Sequence, residues 1–154
     1  MKITKLAVPI GAAVVALGMA AAPAGAVNNI KPFGVRETLK DIWGTTEIGY
    51  TVDNLVPSTD PVPAEINGRL YEATVTVDDI EGSVMPQTQD FNARALSGAN
   101  YRVLTNVSSL GGQLGQGDKT TGKLYFDVVG DIPNSVVYND GSQDVMAWFS
   151  PPPA

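Results

Sequence analysis

Neither cysteine nor histidine occurs anywhere in this 154-residue chain. Cys thiolates and His imidazoles supply most protein nucleophiles, general bases near neutrality and zinc ligands. Their absence closes the common Cys- and His-dependent hydrolytic mechanisms and leaves no disulfide to stabilise the fold. Positive charge is also scarce, with ten Lys and Arg against sixteen Asp and Glu and a formal charge of −6. Phosphate contacts need clustered Lys and Arg, so the balance argues against nucleic acid and against an anionic membrane face as partners. Only one long hydrophobic run exists, from Leu6 to Ala22.

That run belongs to a secretory signal. Lys2 and Lys5 precede it, and Ala24-Gly25-Ala26 follows as the small-x-small exit that signal peptidase accepts. A transmembrane anchor is the competing reading, but the run is barely long enough to span a bilayer. Cleavage is expected after Ala26, with Ala24 as the near alternative, and no Cys at the cut is available for lipidation. The expected plan is a signal peptide over 1–26, one domain over 27–150 and a disordered Pro-rich tail over 151–154. Loss of Lys2 and Lys5 takes the formal charge from −6 to −8. A chain of this length suits a single domain burying about two-thirds of its unfolded surface. The expected location is secreted and extracellular, with no membrane contact after cleavage. Export without cysteine points to a bacterial source, because small eukaryotic secreted domains are often disulfide-stapled.

Period-two alternation runs through the rest of the chain, the pattern of half-buried strands. Tyr71, Ala73, Val75 and Val77 alternate with Glu72, Thr74 and Thr76; Leu124, Phe126 and Val128 with Lys123, Tyr125 and Asp127. Ile48, Tyr50 and Val52 form a third set, Phe91, Ala93 and Ala95 a fourth, and Tyr101 and Val103 flank Arg102. Val145 to Phe149 is apolar on both sides. Pro57, Pro61 and Pro63 mark a long surface connection, and Asn139-Asp140-Gly141 reads as a tight hairpin. Six to eight short strands without a sustained helical period predict an all-β antiparallel sandwich. Residues 35–43 fit less well: Val35, Leu39, Ile42 and Trp43 lie on a helical stripe, and by themselves they read equally as a short helix or a strand.

Two blocks, Phe91-Asn92-Ala93-Arg94 with Gly98-Ala99-Asn100-Tyr101-Arg102-Val103-Leu104, and Thr121-Gly122-Lys123-Leu124-Tyr125-Phe126-Asp127-Val128 with Gly130, stand downstream of Tyr71-Glu72-Ala73-Thr74-Val75. Together with a Trp near the end, they resemble the small secreted immunogenic proteins of mycobacteria, the immunoprotective extracellular protein family. The resemblance covers nearly the whole exported chain. It implies an immunoglobulin-like antiparallel β-sandwich, release into the medium, no established activity and no agreed catalytic residues. It also implies that residues 35–43 are the first strand, and strand is the expectation here. The lead-in from Asn28 to Phe33 and the Ser150 to Pro153 tail depart from it.

Candidate sites are few. Gly117-Asp118-Lys119-Thr120-Thr121-Gly122-Lys123 is a near miss to a phosphate-binding loop, with Leu124 where Ser or Thr would hold magnesium. A flexible Gly-rich loop entering a strand is the better reading. Asp78, Asp79 and Glu81 suggest calcium, yet alternation sends Asp78 and Asp79 to opposite faces. Arg94 and Arg102 are the strongest pair. A hairpin with Ser97-Gly98-Ala99 as its loop sets them opposite each other, where like charges are destabilising unless something negative intervenes. That group is an internal carboxylate such as Asp90 or Asp127, or else an external anion or a partner's carboxylate met by Arg. Trp43, Tyr50, Tyr71 and Trp148 are expected to pack in the core or its rim and not to form a sugar-stacking platform.

The expected function is therefore a binding or interaction module acting through surface loops or edge strands, and not an enzyme. Carboxylate-only hydrolysis is the one chemistry left open. The surfaces expected to bind are the Pro57 to Gly68 loop, the Gly111 to Gly122 loop and the Arg94/Arg102 face. The expected partner is a host or envelope protein or a glycan, the expected state is a monomer, and no cofactor or metal is called for. A carbohydrate- or small-ligand-binding module of the cell envelope is the alternative.

Overall fold

The alternating segments become strands with the expected faces inward. The structure is a computed structural model describing residues 29–151. The expected signal cleavage and all of the tail but Pro151 lie outside the described residues. In chain order the strands are β1 (Asn29–Pro32), β2 (Arg36–Lys40), β3 (Glu47–Val52), β4 (Val56–Pro57), β5 (Arg69–Glu81), β6 (Ser83–Val84), β7 (Phe91–Arg94), β8 (Asn100–Arg102), β9 (Leu114–Gly115), β10 (Lys119–Val128), β11 (Ser135–Asn139) and β12 (Asp144–Phe149). A 3₁₀ turn at Thr88–Asp90 leads into β7.

Two five-stranded sheets face each other. The first has the order β10-β5-β3-β2, with β4 also paired to β5; the second has the order β1-β12-β11-β7-β8. The two-residue strands β6 and β9 form a separate small ladder. Pairing is antiparallel throughout except for β1, which runs parallel to β12 through Asn29↔Met146 and Phe149↔Pro32. This is the immunoglobulin-like sandwich that the resemblance implies, with the lead-in incorporated as an edge strand.

The core lies between the sheets. Tyr50, Val52, Val75, Val77, Leu124 and Phe126 from the first sheet meet Phe91, Val136, Met146 and Trp148 from the second, all almost fully buried. Phe91 is the hub of the aromatic packing: its ring makes edge contacts with Tyr50 at 5.3 Å and Tyr138 at 5.1 Å, and stacks with Trp148 at 6.3 Å. Such offset and edge arrangements suit the ring quadrupoles. The indole N–H of Trp148, buried with its ring, donates to the Val35 carbonyl at 2.8 Å. That bond ties the end of β12 to the turn joining β1 and β2.

Residues 35–43 divide. Arg36–Lys40 is strand β2, paired with β3, so the strand expectation holds there. Beyond it the chain turns, and the helical stripe dissolves: Ile42 is 87% and Trp43 78% exposed. Trp43 is thus not a core or rim residue as expected, while Tyr50, Tyr71 and Trp148 are buried. Asp41 is the cause. Its carboxylate accepts the Thr45 N–H at 2.6 Å, the Thr45 hydroxyl at 2.6 Å and the Thr46 N–H at 3.1 Å, and its carbonyl accepts the Gly44 N–H at 3.0 Å. These bonds hold the Asp41 carboxyl below the usual range, the Thr45 side chain contributing most. They also give the backbone an alternative to helix.

The Gly111 to Gly122 segment is shorter as a loop than expected. Leu114–Gly115 pairs with β6, and β10 begins at Lys119. Gly122 lies within β10, where the Ser109–Leu110 backbone crosses so closely that a β-carbon would collide with the Ser109 carbonyl oxygen.

Candidate functional site

The two arginines lie on the outer face of the second sheet. In β7, Phe91 and Ala93 point inward and are buried, so Asn92 and Arg94 point outward. In β8, Tyr101 is buried, so Asn100 and Arg102 point outward beside them. The hairpin register differs from the one expected. Arg94 pairs with Asn100 and Arg102 with Asn92, and Ala95 N–H bonds the Ala99 carbonyl at 2.9 Å, making the loop Leu96-Ser97-Gly98. Gly98 takes a φ of 98° in that loop, which glycine adopts without steric strain. The like charges are therefore staggered across the ladder, and each faces an asparagine.

Arg94 has an internal partner, although not Asp90 or Asp127. Its guanidinium donates two parallel bonds to Asp144, at 2.6 and 2.7 Å, and its Nε donates to Asn92 at 2.8 Å. Asn139 donates to the same carboxylate at 2.7 Å. The pair is largely buried, with side chains 16% and 8% exposed. Asp127 instead accepts the Asn67 and Gly68 backbone N–H groups, each at 2.8 Å. Asp90 sits beside Tyr138, and burial raises its carboxyl above the ordinary value, with the charge of Asp140 adding to the shift and the Tyr138 hydroxyl opposing it.

Arg102 is exposed and makes no ion pair among the described residues. It borders a cleft of about 310 Å³, also lined by Gln89, Asp90, Asn92, Asn100 and Asn139. Both arginines line this cleft. Arg94, anchored by Asp144, forms part of its floor, and Arg102 keeps its donors available. Amides with both donors and acceptors surround them, an arrangement suited to an anionic or polyhydroxylated group.

The other sequence candidates separate. Lys123 lies in β10 and is neutralised by Asp60 at 2.7 Å and Glu72 at 2.6 Å, while the Tyr125 hydroxyl also donates to Asp60 at 2.7 Å. The bonds to the two carboxylates push the Lys123 ammonium above its ordinary value. A strand with its lysine so engaged has no helix N-terminus to hold phosphate, and this binding also pins the Pro57 to Gly68 loop through Asp60. Asp78 pairs with Lys119 at 3.3 Å, whereas Asp79 turns inward and is 3% exposed. Among the described residues no three acidic side chains converge as a metal site would need.

Sequence reasoning missed three residues. Asp144 opens an apolar strand, and nothing in the local pattern links it to Arg94, fifty positions earlier. Glu37 is 4% exposed because it takes the inward position of an alternating strand, where the sequence places a carboxylate and not an apolar side chain. Trp43 is displayed on the β2–β3 turn, for which the nearby Asp41, Thr45 and Thr46 were the available signal.

An immunoglobulin-like β-sandwich with a polar cleft on the outer face of one sheet is the class of protein that fold and site define. The chain belongs to the family described as a domain of unknown function, DUF1942, whose pattern matches residues 28–148. It is 40% identical over 120 residues to the immunogenic proteins MPB63 of Mycobacterium bovis and MPT63 of Mycobacterium tuberculosis, covering 75% of this chain and 76% of theirs. The crystal structure of the secreted protein MPT63 superposes with a TM-score of 0.72 at 39% identity, covering 78% of this chain and 95% of that one. The protein is accordingly a secreted, extracellular member of this family, whose mycobacterial relatives are named as immunogenic proteins.

Proposed function

We propose that the protein works as a monomer by binding and not by catalysis, offering the outer face of its second sheet to an anionic group on an envelope or host protein. The observation that carries this reading is the contrast between the arginines: Arg94 is locked to Asp144, while Arg102 stands exposed beside a polar cleft. In an acidic protein, such a guanidinium is a local positive site suited to a carboxylate. Support against catalysis comes from the carboxylates that are already engaged, Asp144 with Arg94, Asp60 and Glu72 with Lys123, and Asp78 with Lys119.

The four amides lining the cleft favour a second reading, a glycan whose hydroxyls they would meet. One experiment separates the two. The exported protein and its Arg102→Ala variant are compared in affinity capture from envelope fractions and host-cell surface extracts, and on a glycan array. A captured protein that the variant loses supports the first reading. A glycan signal with nothing captured replaces it with the second. Binding that Arg102→Ala leaves unchanged overturns the assignment of this face.

A further inference from the structure

At the opposite end of the second sheet, its edge strand β1 lies beside β2, the edge strand of the first sheet. Glu37 on β2 is paired across the ladder with Tyr50, whose ring is in the core, so its carboxyl also points between the sheets. Asn29 and Lys31 on β1 are paired in parallel with Met146 and Trp148, both inward-facing, so they too face the seam. The seam holds a cavity of about 300 Å³ lined by Asn29, Lys31, Arg36, Glu37 and Thr38. Arg36 points the other way, its side-chain stem lying over Gly49 on the outer face. The charged residues whose register directs them between the sheets are therefore Glu37 and Lys31, while Arg36 also lines the cavity.

Two features set this cavity apart. Glu37 is 4% exposed, and neither of its carboxyl oxygens makes a well-formed hydrogen bond among the described residues, the Ala147 backbone amide being the one donor near enough to favour its ionised form. Lys31 is close enough to influence the carboxyl, but the two make no ion pair within 4.0 Å. A buried acceptor without a well-formed hydrogen bond is costly, and charges that share a cavity without meeting leave room for something between them. The walls are also fixed. Phe33 N–H bonds the Phe149 carbonyl at 3.1 Å, Gly34 N–H bonds the Val52 carbonyl at 2.8 Å, and Trp148 holds Val35.

We propose that this seam binds a small zwitterion, such as a free amino acid, with its ammonium on Glu37 and its carboxylate on Lys31. A simple cation would meet Glu37 but would be repelled by Lys31. A simple anion would meet Lys31 but would leave Glu37 unsatisfied in a protein that is acidic overall. A molecule carrying both charges answers both groups, and Asn29 supplies an amide for the remaining polar atoms. At about 300 Å³ the cavity is large enough for a free amino acid. Because an ammonium stabilises the ionised form of Glu37, binding near neutral pH is accompanied by proton release.

The test uses the exported protein, uniformly ¹⁵N-labelled, titrated with glycine, L-alanine, acetate and methylamine at matched ionic strength. The expected result is saturable amide shifts confined to residues 29–38 and their neighbours on β12 with the amino acids, and none with acetate or methylamine. Calorimetry in buffers of different ionisation enthalpy should register the released proton. Glu37→Gln keeps the shape and should weaken binding about tenfold or more, the loss expected for one charge-assisted hydrogen bond. Lys31→Met, at an exposed position, should weaken it as well. No response to either amino acid, an equal response to acetate or methylamine, or unchanged binding in Lys31→Met overturns the proposal. Arg102→Ala should leave these shifts intact, so this site and the Arg102 face succeed or fail separately.

Discussion

Arg94 and Arg102 occupy neighbouring strands on one face and serve different ends. Removing the partner of Arg94 leaves a largely buried cation with only the Asn92 amide. Asp144→Ala is expected to lower stability by on the order of 3 kcal/mol, read as a lower urea midpoint. Arg102→Ala should change stability by no more than about 0.5 kcal/mol, as at an exposed site without partners. Both arginines were visible in the sequence as residues of interest. Which one was free was not, because that depends on a two-residue difference in hairpin register and on a carboxylate from the last strand.

Glu37 gives a second prediction at this scale. Burial pushes its carboxyl from 4.5 up to about 7, a shift only partly offset by the charge of Lys31 and the nearby Ala147 backbone amide. Tyr50, opposite it on β3, is raised to about 12, first by burial, and stays neutral throughout this range. Below pH 4.5 both folded and unfolded states hold the Glu37 proton. As pH rises toward 7 the unfolded chain loses it first, so stability falls, by at most about 3 kcal/mol. In Glu37→Gln this component should vanish, and the urea midpoint should vary less between pH 4.5 and 7. With no histidine in the chain, imidazole titration cannot obscure the measurement.

Among the elements, the β2–β3 turn and β10 show how local chemistry overrides pattern. The apolar residues at 35, 39, 42 and 43 follow a helical period, but Asp41 captures the amides of Thr45 and Thr46 and places Ile42 and Trp43 in water. Two tryptophans in opposite environments follow. Acrylamide should quench one emitting population readily and the other poorly, and Trp43→Phe should leave only the shielded, blue-shifted emission of Trp148. In β10, alternation located the strand correctly, with Leu124, Phe126 and Val128 inward. The sequence alone assigns Gly122, which lies within this strand, to a flexible loop, since a neighbouring chain that requires a missing side chain leaves no trace in adjacent residues. Gly122→Ala should destabilise by roughly 1–3 kcal/mol, measured by thermal unfolding.

For the whole molecule, stability rests on two sheets joined by side-chain packing, without disulfides. Most of the pairings are distant in sequence: β10 with β5, β12 with β1 and β11 with β7. Closing such loops before contacts compensate makes sandwiches slow folders, and refolding in the millisecond-to-second range is expected by stopped-flow fluorescence. Microsecond folding would show that local contacts dominate instead.

The division between sequence and structure follows the range of the forces involved. Strand positions, inward faces and the loss of thiol and imidazole chemistry depend on residue type and a two-residue period, so the amino-acid sequence by itself determined them. Tertiary structure decided that Asp144 meets Arg94, that Arg102 stays exposed, that Glu37 is buried without an ion-pair partner and that Trp43 faces solvent. Each of those outcomes depends on register and on which strand ends at which edge. Such relations are settled by packing across tens of residues, and a single strand carries no record of its partner.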